Sequence, residues 1–505
     1  TEELRARLLA LLGERGAGIA VESFHSLGLS ILRAHGARLG LPADFLIASE
    51  AERRAALVSA LGVTDSRAGQ LLKAVSVLKR SGGQGAGEEA AARAALAEAG
   101  RAGGFLDFDD LVVCAADLLE AHPDIAALWQ GRFAHVVADE FQDVDEQQYR
   151  LLKLVAGGGA LCVIGDPDQA IYGFRGADAA CFERFARDFP TAPTLRLARN
   201  YRLSGTIVAA SAALVGREPS GITRPMGEKI VLDASPDEAG EAEFVAATIE
   251  DLLGGHDLLA AQRERGVRGP AGALGFADCA VLYRTDAQAA AFRTAFDRAG
   301  IPYMKSTPAP IAAHAGVVAI LAALGAEPSD GDLADRIGHA AEAARRSGAA
   351  DAAVLAEARG WLLALAASDA VAGEPARLGE QVALSTEADF RDARADRVSL
   401  LTMHAAKGLE FVVVFVVGLE NGLMPFAFDG TADDGVLAEE RRLLYVAMTR
   451  ARERLFLTRA GERSWRGAVR AFPASPFLAT LPAELTARSG SAGKRRPRVQ
   501  QLRLF

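Results

Sequence analysis

Residues 135–178 read HVVADEFQDVDEQQYRLLKLVAGGGALCVIGDPDQAIYGFRGAD. The apolar run Val136-Val137-Ala138 ends in paired acids, Asp139-Glu140, followed by Phe141-Gln142-Asp143. Leu151, Leu152, Leu154 and Val155 are the apolar positions of a helical segment, and a second apolar run, Leu161-Cys162-Val163-Ile164, ends in Gly165-Asp166-Pro167-Asp168-Gln169. Short apolar runs on either side of a helix predict buried parallel strands joined by a βαβ crossover. Open α/β sheets bind ligands beyond the carboxyl ends of their strands, which is where these acids fall. An Asp-Glu pair there suits the metal-holding and water-activating part of an NTPase. Alone, the pair fits any α/β protein. The run Gly165-Asp166-x-Asp168-Gln169-x-x-Tyr172-x-Phe174-Arg175-Gly176 after it narrows the reading sharply.

The composition sets the frame for that stretch. A chain of 505 residues, half of them apolar, is long enough for two or more domains with their own cores. A net charge of -9 argues against a uniformly basic nucleic-acid coat. It leaves room for a local single-strand channel with stacking residues. Cys114, Cys162, Cys181 and Cys279 are widely spaced in apolar sequence, with no CxxC or Cys/His cluster, so neither zinc nor a disulfide framework is expected. No apolar run reaches membrane-spanning length and the N-terminus lacks a signal pattern; the expectation is a soluble cytoplasmic protein without a membrane partner.

The two acid-ended motifs resemble those of the UvrD/Rep (PcrA-like) family of superfamily 1 DNA helicases, and segments on both sides extend the resemblance. Ser23-Phe24-His25-Ser26, expected to follow a short strand from Gly18, is similar to the family's TFHS motif, with Ser23 in place of the usual threonine. Phe105-Leu106-Asp107-Phe108-Asp109-Asp110-Leu111 matches the DFDDL signature. Asn200-Tyr201-Arg202 matches the NYR motif, and Val281-Leu282-Tyr283-Arg284 with Gly300-Ile301-Pro302-Tyr303 matches a VLYR…GIPY segment. The run from Thr402 to Phe411, TMHAAKGLEF, is close to motif V. Glu439 to Ala451, read as an amphipathic helix, matches motif VI, with Leu455-Phe456-Leu457 expected as the last strand of its domain.

The resemblance implies an α/β fold with two RecA-like, P-loop NTPase-type motor domains built on parallel sheets, each with a helical insertion. Motor domain 1A would comprise 1–27 and 106–193, with insertion 1B over 28–105. Motor domain 2A would comprise 194–324 and 396–480. Residues 325–395 would form a 2B insertion that is alanine-rich and short for the family. The implied activity is an ATP-dependent 3′-to-5′ DNA helicase with DNA-stimulated ATPase, using ATP and Mg²⁺ on single-stranded DNA and single-/double-strand junctions. Asp139 would hold Mg²⁺ and Glu140 would activate the attacking water. Gln169, Arg202 and Arg450 would sense or stabilise the γ-phosphate, Arg450 as an arginine finger. Tyr201 would stack on the base and Glu410 would meet the nucleotide sugar. Phe24, His25, Tyr172, Phe174, Arg175, Thr402 and His404 would face DNA; phenylalanine at 174, where the family often has tryptophan, predicts weaker stacking.

Residues from about Pro482 read as loop, and 481–505 as a flexible basic tail with Lys494-Arg495-Arg496-Pro497-Arg498 available to phosphates. Its end, Gln501-Leu502-Arg503-Leu504-Phe505, resembles the QLxLF peptide by which bacterial DNA-processing proteins dock on the replicative sliding clamp. Gln501 would supply a polar anchor, and Leu502, Leu504 and Phe505 apolar ones. One family element is not found. No G-x-x-x-x-G-K-[ST] phosphate loop occurs, and the only Gly-Lys pair is Gly493-Lys494. The sequence therefore reads as starting just after that loop, with the first motor domain incomplete. A catalytically inactive, clamp-tethered DNA-binding module is the alternative expectation.

Overall fold

The computed structural model describes residues 2–173, 180–219, 221–254, 274–305, 310–326, 331–368, 371, 373–390, 395–426, 433–465 and 467–489. It divides into two compact units, residues 1–190 with 309–390, and residues 191–308 with 391–505.

In the first unit, the two apolar runs form strands β3 (His135–Ala138) and β4 (Ala160–Val163), paired in parallel with Val136 opposite Leu161 and Val137 opposite Cys162. Strand periodicity puts alternate residues on opposite faces. Val136, Ala138, Leu161 and Val163 pack against Phe141, Tyr149, Leu152 and Cys181. The other face is open: Val137 is 62% and Ile164 46% exposed, and Cys162 is exposed with them.

Helices supply most of this unit's core. The helices Phe24–His35, Phe108–Ala121, Pro123–Arg132 and Glu146–Ala156 bury Ile31, Leu118, Trp129 and Leu151 together. Three of the four begin at a capping box, with Ser23, Asp107 or Asp145 accepting a backbone N–H. The segment before Ser23 departs from the sequence reading. No strand forms over 18–22: the chain is extended at Ile19 and Ser23, but this segment pairs with no strand among the described residues before the helix starts at Phe24.

The residues between are held separately. Strands β1 (Leu46–Ile47) and β2 (Phe105–Leu106) close the base of a three-helix body, Glu50–Leu61, Asp65–Ser81 and Gly87–Gly103, around Leu57, Leu71 and Leu96. A further helical body, 309–390, packs Ile320, Ile337, Leu355, Leu362 and Leu378 together. It belongs to the first unit, although the chain on both sides of it belongs to the second.

The second unit is organised by one eight-stranded sheet. Its strands are β5 (Ile230–Asp237), β6 (Cys279–Tyr283), β7 (Tyr303–Lys305), β8 (Val398–Thr402), β9 (Phe411–Val416), β10 (Ala451–Trp465), β11 (Ala468–Ala471) and β12 (Thr486–Arg488). The order is β12-β5-β10-β9-β6-β8-β7, parallel throughout, with β11 antiparallel on the end of β10. Both faces of β6 and β9 are buried. Val281, Tyr283, Val413 and Phe415 meet the helices Glu238–Leu252 and Ala289–Ala299, while Ala280, Leu282, Val414 and Val416 are buried on the other side. Continuous apolar runs are what a doubly covered parallel sheet requires.

Residues 455–457 lie inside the long β10 and are not the last strand, since β11 and β12 follow. Residues 486–488, read as loop, instead add β12 to the sheet edge. Three residues give too short an alternation to recognise in sequence. Among the described residues, no helix is long and apolar enough to cross a membrane.

Candidate nucleotide and nucleic-acid sites

The first site forms where β3 and β4 end. Asp139 and Glu140 follow β3 directly and both are exposed. Glu140 has φ 50° and ψ 39°, and among the described residues it alone adopts a positive φ without being glycine. This left-handed conformation costs an L residue about 1–2 kcal/mol. It persists because neighbours fix both sides of it. Asp139 Oδ1 accepts the Glu140 N–H at 2.9 Å, Phe141 N–H donates to Ile164 O at 2.9 Å, and Asp143 N–H donates to Glu140 O at 2.9 Å.

Gln142, buried beneath the turn, connects the two acid motifs. Its Nε2 donates to Glu140 Oε2 at 2.5 Å, and its Oε1 accepts the Asp166 N–H at 3.0 Å. Gly165 is glycine for a steric reason. A Cβ there would collide with Gln142 Oε1 and stand 3.0 Å from Phe141 N. Asp166 in turn orients Gln169, whose Nε2 donates to Asp166 Oδ2 at 2.9 Å. The structure thus brings Asp139, Glu140 and Gln169 to one end of the β3–β4 pair. Gln142 and Asp166 hold them there, and sequence reasoning gave neither a role. Their positions, inside the two acid motifs, were the available signal.

Phe24 and His25 occupy the first turn of their helix, and the His25 ring lies 4.3 Å from that of Phe108. Burial, opposed by Asp109 and reinforced by Arg80, pushes the His25 pKa down to about 4, so its imidazole is neutral near pH 7. The start of the Phe108 helix is itself gripped from the three-helix body. Lys79 Nζ lies 2.8 Å from Asp107 Oδ2 and 2.6 Å from Asp110 Oδ1, and Arg80 Nε donates to Asp109 Oδ1 at 2.7 Å. Tyr172 is half-buried. Phe174, Arg175 and the terminal residues Gln501, Leu502, Leu504 and Phe505 lie outside the described residues.

The second site gathers at the amino ends of β9 and β10. Asn200 Oδ1 accepts the N–H groups of Arg202 and Leu203, both at 3.0 Å, and this local turn leaves Tyr201 68% exposed. Arg202 Nε lies 2.9 Å from Glu410 Oε1. Glu410 immediately precedes β9 and Arg450 immediately precedes β10, and the Phe411 N–H donates to Arg450 O at 3.0 Å. Arg450 itself is only 2% exposed. Its Nε donates to Val446 O at 3.0 Å, Nη1 to Leu409 O at 3.3 Å and Nη2 to Thr449 Oγ1 at 3.2 Å.

Thr402 and His404 sit at the opposite end of the same sheet, where β8 finishes beside Tyr283, and Thr402 Oγ1 accepts the Ala405 N–H at 3.2 Å. Residues 403–410 therefore run from the carboxyl end of β8 to the amino end of β9. Sequence reasoning missed Glu440. It is 5% exposed, accepts from Arg284 Nε at 3.0 Å and Nη2 at 2.8 Å, and from the Phe426 N–H at 2.8 Å. It ties the helix Asp434–Met448, which ends just before Arg450, to the end of β6. Chemically, the first site offers exposed carboxylates beside an oriented amide. The second offers the exposed Arg202, whose planar fork suits phosphate oxygens, beside the exposed Tyr201 ring, while the Arg450 fork is buried on protein oxygens.

Known helicase domains match both the amino- and the carboxyl-terminal parts of the chain. Residues 1–190 match the UvrD/REP helicase N-terminal domain and residues 371–462 the UvrD-like helicase C-terminal domain. The chain is 30% identical to "ATP-dependent DNA helicase UvrD1" of Mycobacterium tuberculosis strain H37Rv, over 96% of this chain and 78% of that protein. It is 27% identical to "ATP-dependent DNA helicase PcrA" of Leuconostoc citreum, over 97% of this chain and 78% of the relative. Identity to the PcrA of Staphylococcus aureus strain NCTC 8325 is also 27%, over 98% and 80%.

Proposed function

Because the chain belongs to the UvrD/Rep family of DNA helicases, we propose that it serves ATP-driven 3′-to-5′ translocation on single-stranded DNA and unwinding at single-/double-strand junctions. The observation that carries this reading is the αL turn at Glu140. A strained acid, braced by Gln142, stands at the same end of the β3–β4 pair as Asp139 and Gln169. Strain of this kind clusters at functional sites. Glu140 would take the proton of the water attacking the γ-phosphate, and Gln169 would hold that water or a phosphate oxygen.

Arg202 and Arg450 would offset the developing charge, Tyr201 would stack on the base and Glu410 would meet the sugar. Arg202 is paired with Glu410 here, so a phosphate would compete with that carboxylate for the guanidinium. Asp139 would hold Mg²⁺. One carboxylate fits that ion's habit of binding through one or two acids, with phosphate and water as its other ligands, and the ion would screen phosphate charge. Phe24, Tyr172, Phe174, Arg175, Thr402 and His404 would face the DNA strand. His25, neutral and resting on Phe108, would contribute a stacking surface rather than a charge.

In domain terms, 1–27 and 106–193 would be motor domain 1A, 28–105 insertion 1B, 194–324 and 396–480 motor domain 2A, and 325–395 a reduced 2B. The work would be cytoplasmic, in DNA repair or replication, with the tail engaging the sliding clamp.

A second reading is favoured by one fact. The 505 residues contain no G-x-x-x-x-G-K-[ST] loop, so the chain alone could be a DNA-binding module without catalysis. DNA-stimulated ATP hydrolysis decides, measured on this polypeptide and on the product of its full reading frame, each beside Glu140→Gln. Hydrolysis that disappears in Glu140→Gln supports the motor. No hydrolysis by either product, with DNA affinity indifferent to ATP, would leave the binding module.

A further inference from the structure

The helical body 309–390 is attached to the first unit through a small and chemically specific contact. Arg33, on the Phe24–His35 helix, donates from Nε to Glu380 Oε1 at 2.8 Å, and its Nη2 lies 2.6 Å from the same oxygen. Glu380 belongs to the Pro375–Leu384 helix of that body. The rest of the guanidinium is engaged as well. Nη1 donates to Ala43 O at 2.9 Å, Nη2 donates to Phe45 O at 2.8 Å, and Cζ sits 3.9 Å above the Phe45 ring. Leu384, at the end of the same helix, packs against the core that contains Leu29, Leu32 and Leu118.

Two features set this ion pair apart from an ordinary surface pair. Its side chains are only 27% and 21% exposed, so water screens them incompletely. The arginine is also held by two backbone carbonyls and an aromatic ring, so little ordering remains to be done when the carboxylate arrives. Other pairs on the body, such as Arg345–Glu342 and Arg377–Glu374, join neighbours three residues apart and attach nothing to anything else.

We propose that Arg33 and Glu380 form a latch that holds the helical body 309–390 on the first unit. The body then travels with the unit carrying Asp139 and Glu140, and not with the sheet whose sequence it interrupts. Among the described residues the apolar part of the attachment to that core is Leu384, so the charged pair decides whether the latch is closed. The proposal does not depend on ATP hydrolysis, and its test uses neither nucleotide nor DNA.

The test is a distance measurement in the full chain between spin labels at Lys73→Cys and Arg346→Cys, both exposed positions, with Cys114→Ala and Cys162→Ser as background. The closed latch predicts one narrow distance distribution in the parent. Glu380→Arg, which faces Arg33 with a like charge, and Glu380→Ala, which only removes the partner, should each broaden it. Hydrogen exchange over residues 375–384 should quicken about tenfold or more, the scale of one lost charge-assisted hydrogen bond. Unchanged protection of 333–346 shows that the body is still folded in the variants. A broad distribution in the parent, or a narrow one retained in both Glu380 variants, overturns the latch.

Discussion

Two of the parallel sheets among the described residues were announced by the same kind of sequence and are covered very differently. In the second unit, Cys279–Tyr283 and Phe411–Val416 are covered on both faces within an eight-stranded sheet. In the first, β3 and β4 stand as a pair with Val137, Cys162 and Ile164 open on one face. An apolar run reports that a strand can be buried. Whether it is depends on how many neighbours the fold brings to it. The sheet of the second unit should therefore carry more of its unit's stability than the described β3–β4 pair carries in the first.

The most direct way to break that contrast is truncation in each sheet. Phe415, fully buried and stacked 4.6 Å from Phe456, should lose about 3–5 kcal/mol on Phe415→Ala. Val137→Ala should stay within about 0.5 kcal/mol, as an exposed position does. Urea unfolding followed by amide exchange of each unit measures both. Equal losses would mean that the open face is covered in solution.

The contrast also explains what could be read beforehand. Strands β3, β4, β6 and β9 announced themselves because three to six consecutive apolar residues suffice. The strand expected over 18–22 failed because that segment has no partner strand among the described residues, a matter of tertiary pairing that periodicity does not report. Three-residue β12 offered no pattern at all. Motif residues such as Arg202 and Glu410 were legible as types, but their mutual ion pair was not. Nor was the burial of Arg450, which rests on the carbonyls of Leu409 and Val446. Arg33 and Glu380 stand 347 positions apart, a contact that only the folded chain defines.

A second contrast concerns titration in the first unit. The folded-state pKa of His25 is about 4, below the ordinary 6.5, so between those values the unfolded chain binds more protons than the folded one. Stability should then be complete above pH 6.5 and fall as the pH drops towards 4, by no more than about 3 kcal/mol given partial exposure of the ring. His25→Phe should flatten that slope. An NMR titration of the imidazole with a midpoint near 6.5 would show instead a solvated ring, free to meet DNA as a cation.

A smaller effect is expected where the two strands end. Gly165→Ala pushes a methyl group into Gln142 Oε1 and towards Phe141 N, so Gln142 must release Glu140, Asp166 or both. The cost should be about 1–3 kcal/mol, confined to the first unit. Faster amide exchange at Asp166 without change in β9 would agree. A neutral substitution would show that Gln142 is not the brace.

The smallest effect lies near zero, and it separates stability from function most cleanly. Glu140 holds φ 50° at a position where glycine would be unstrained. Glu140→Gly removes about 1–2 kcal/mol of backbone strain but also the bond from Gln142 Nε2, worth about 1 kcal/mol, and it makes the unfolded chain more flexible. The net change should stay within about 1 kcal/mol of zero, readable as little or no shift of the unit's urea midpoint. Most exposed acids can be exchanged without consequence to either property. An acid whose removal leaves the fold intact or firmer, while abolishing any ATP hydrolysis, is being kept in its strained turn for chemistry. Clear destabilisation by Glu140→Gly would reverse that inference, because it would make the turn part of the scaffold.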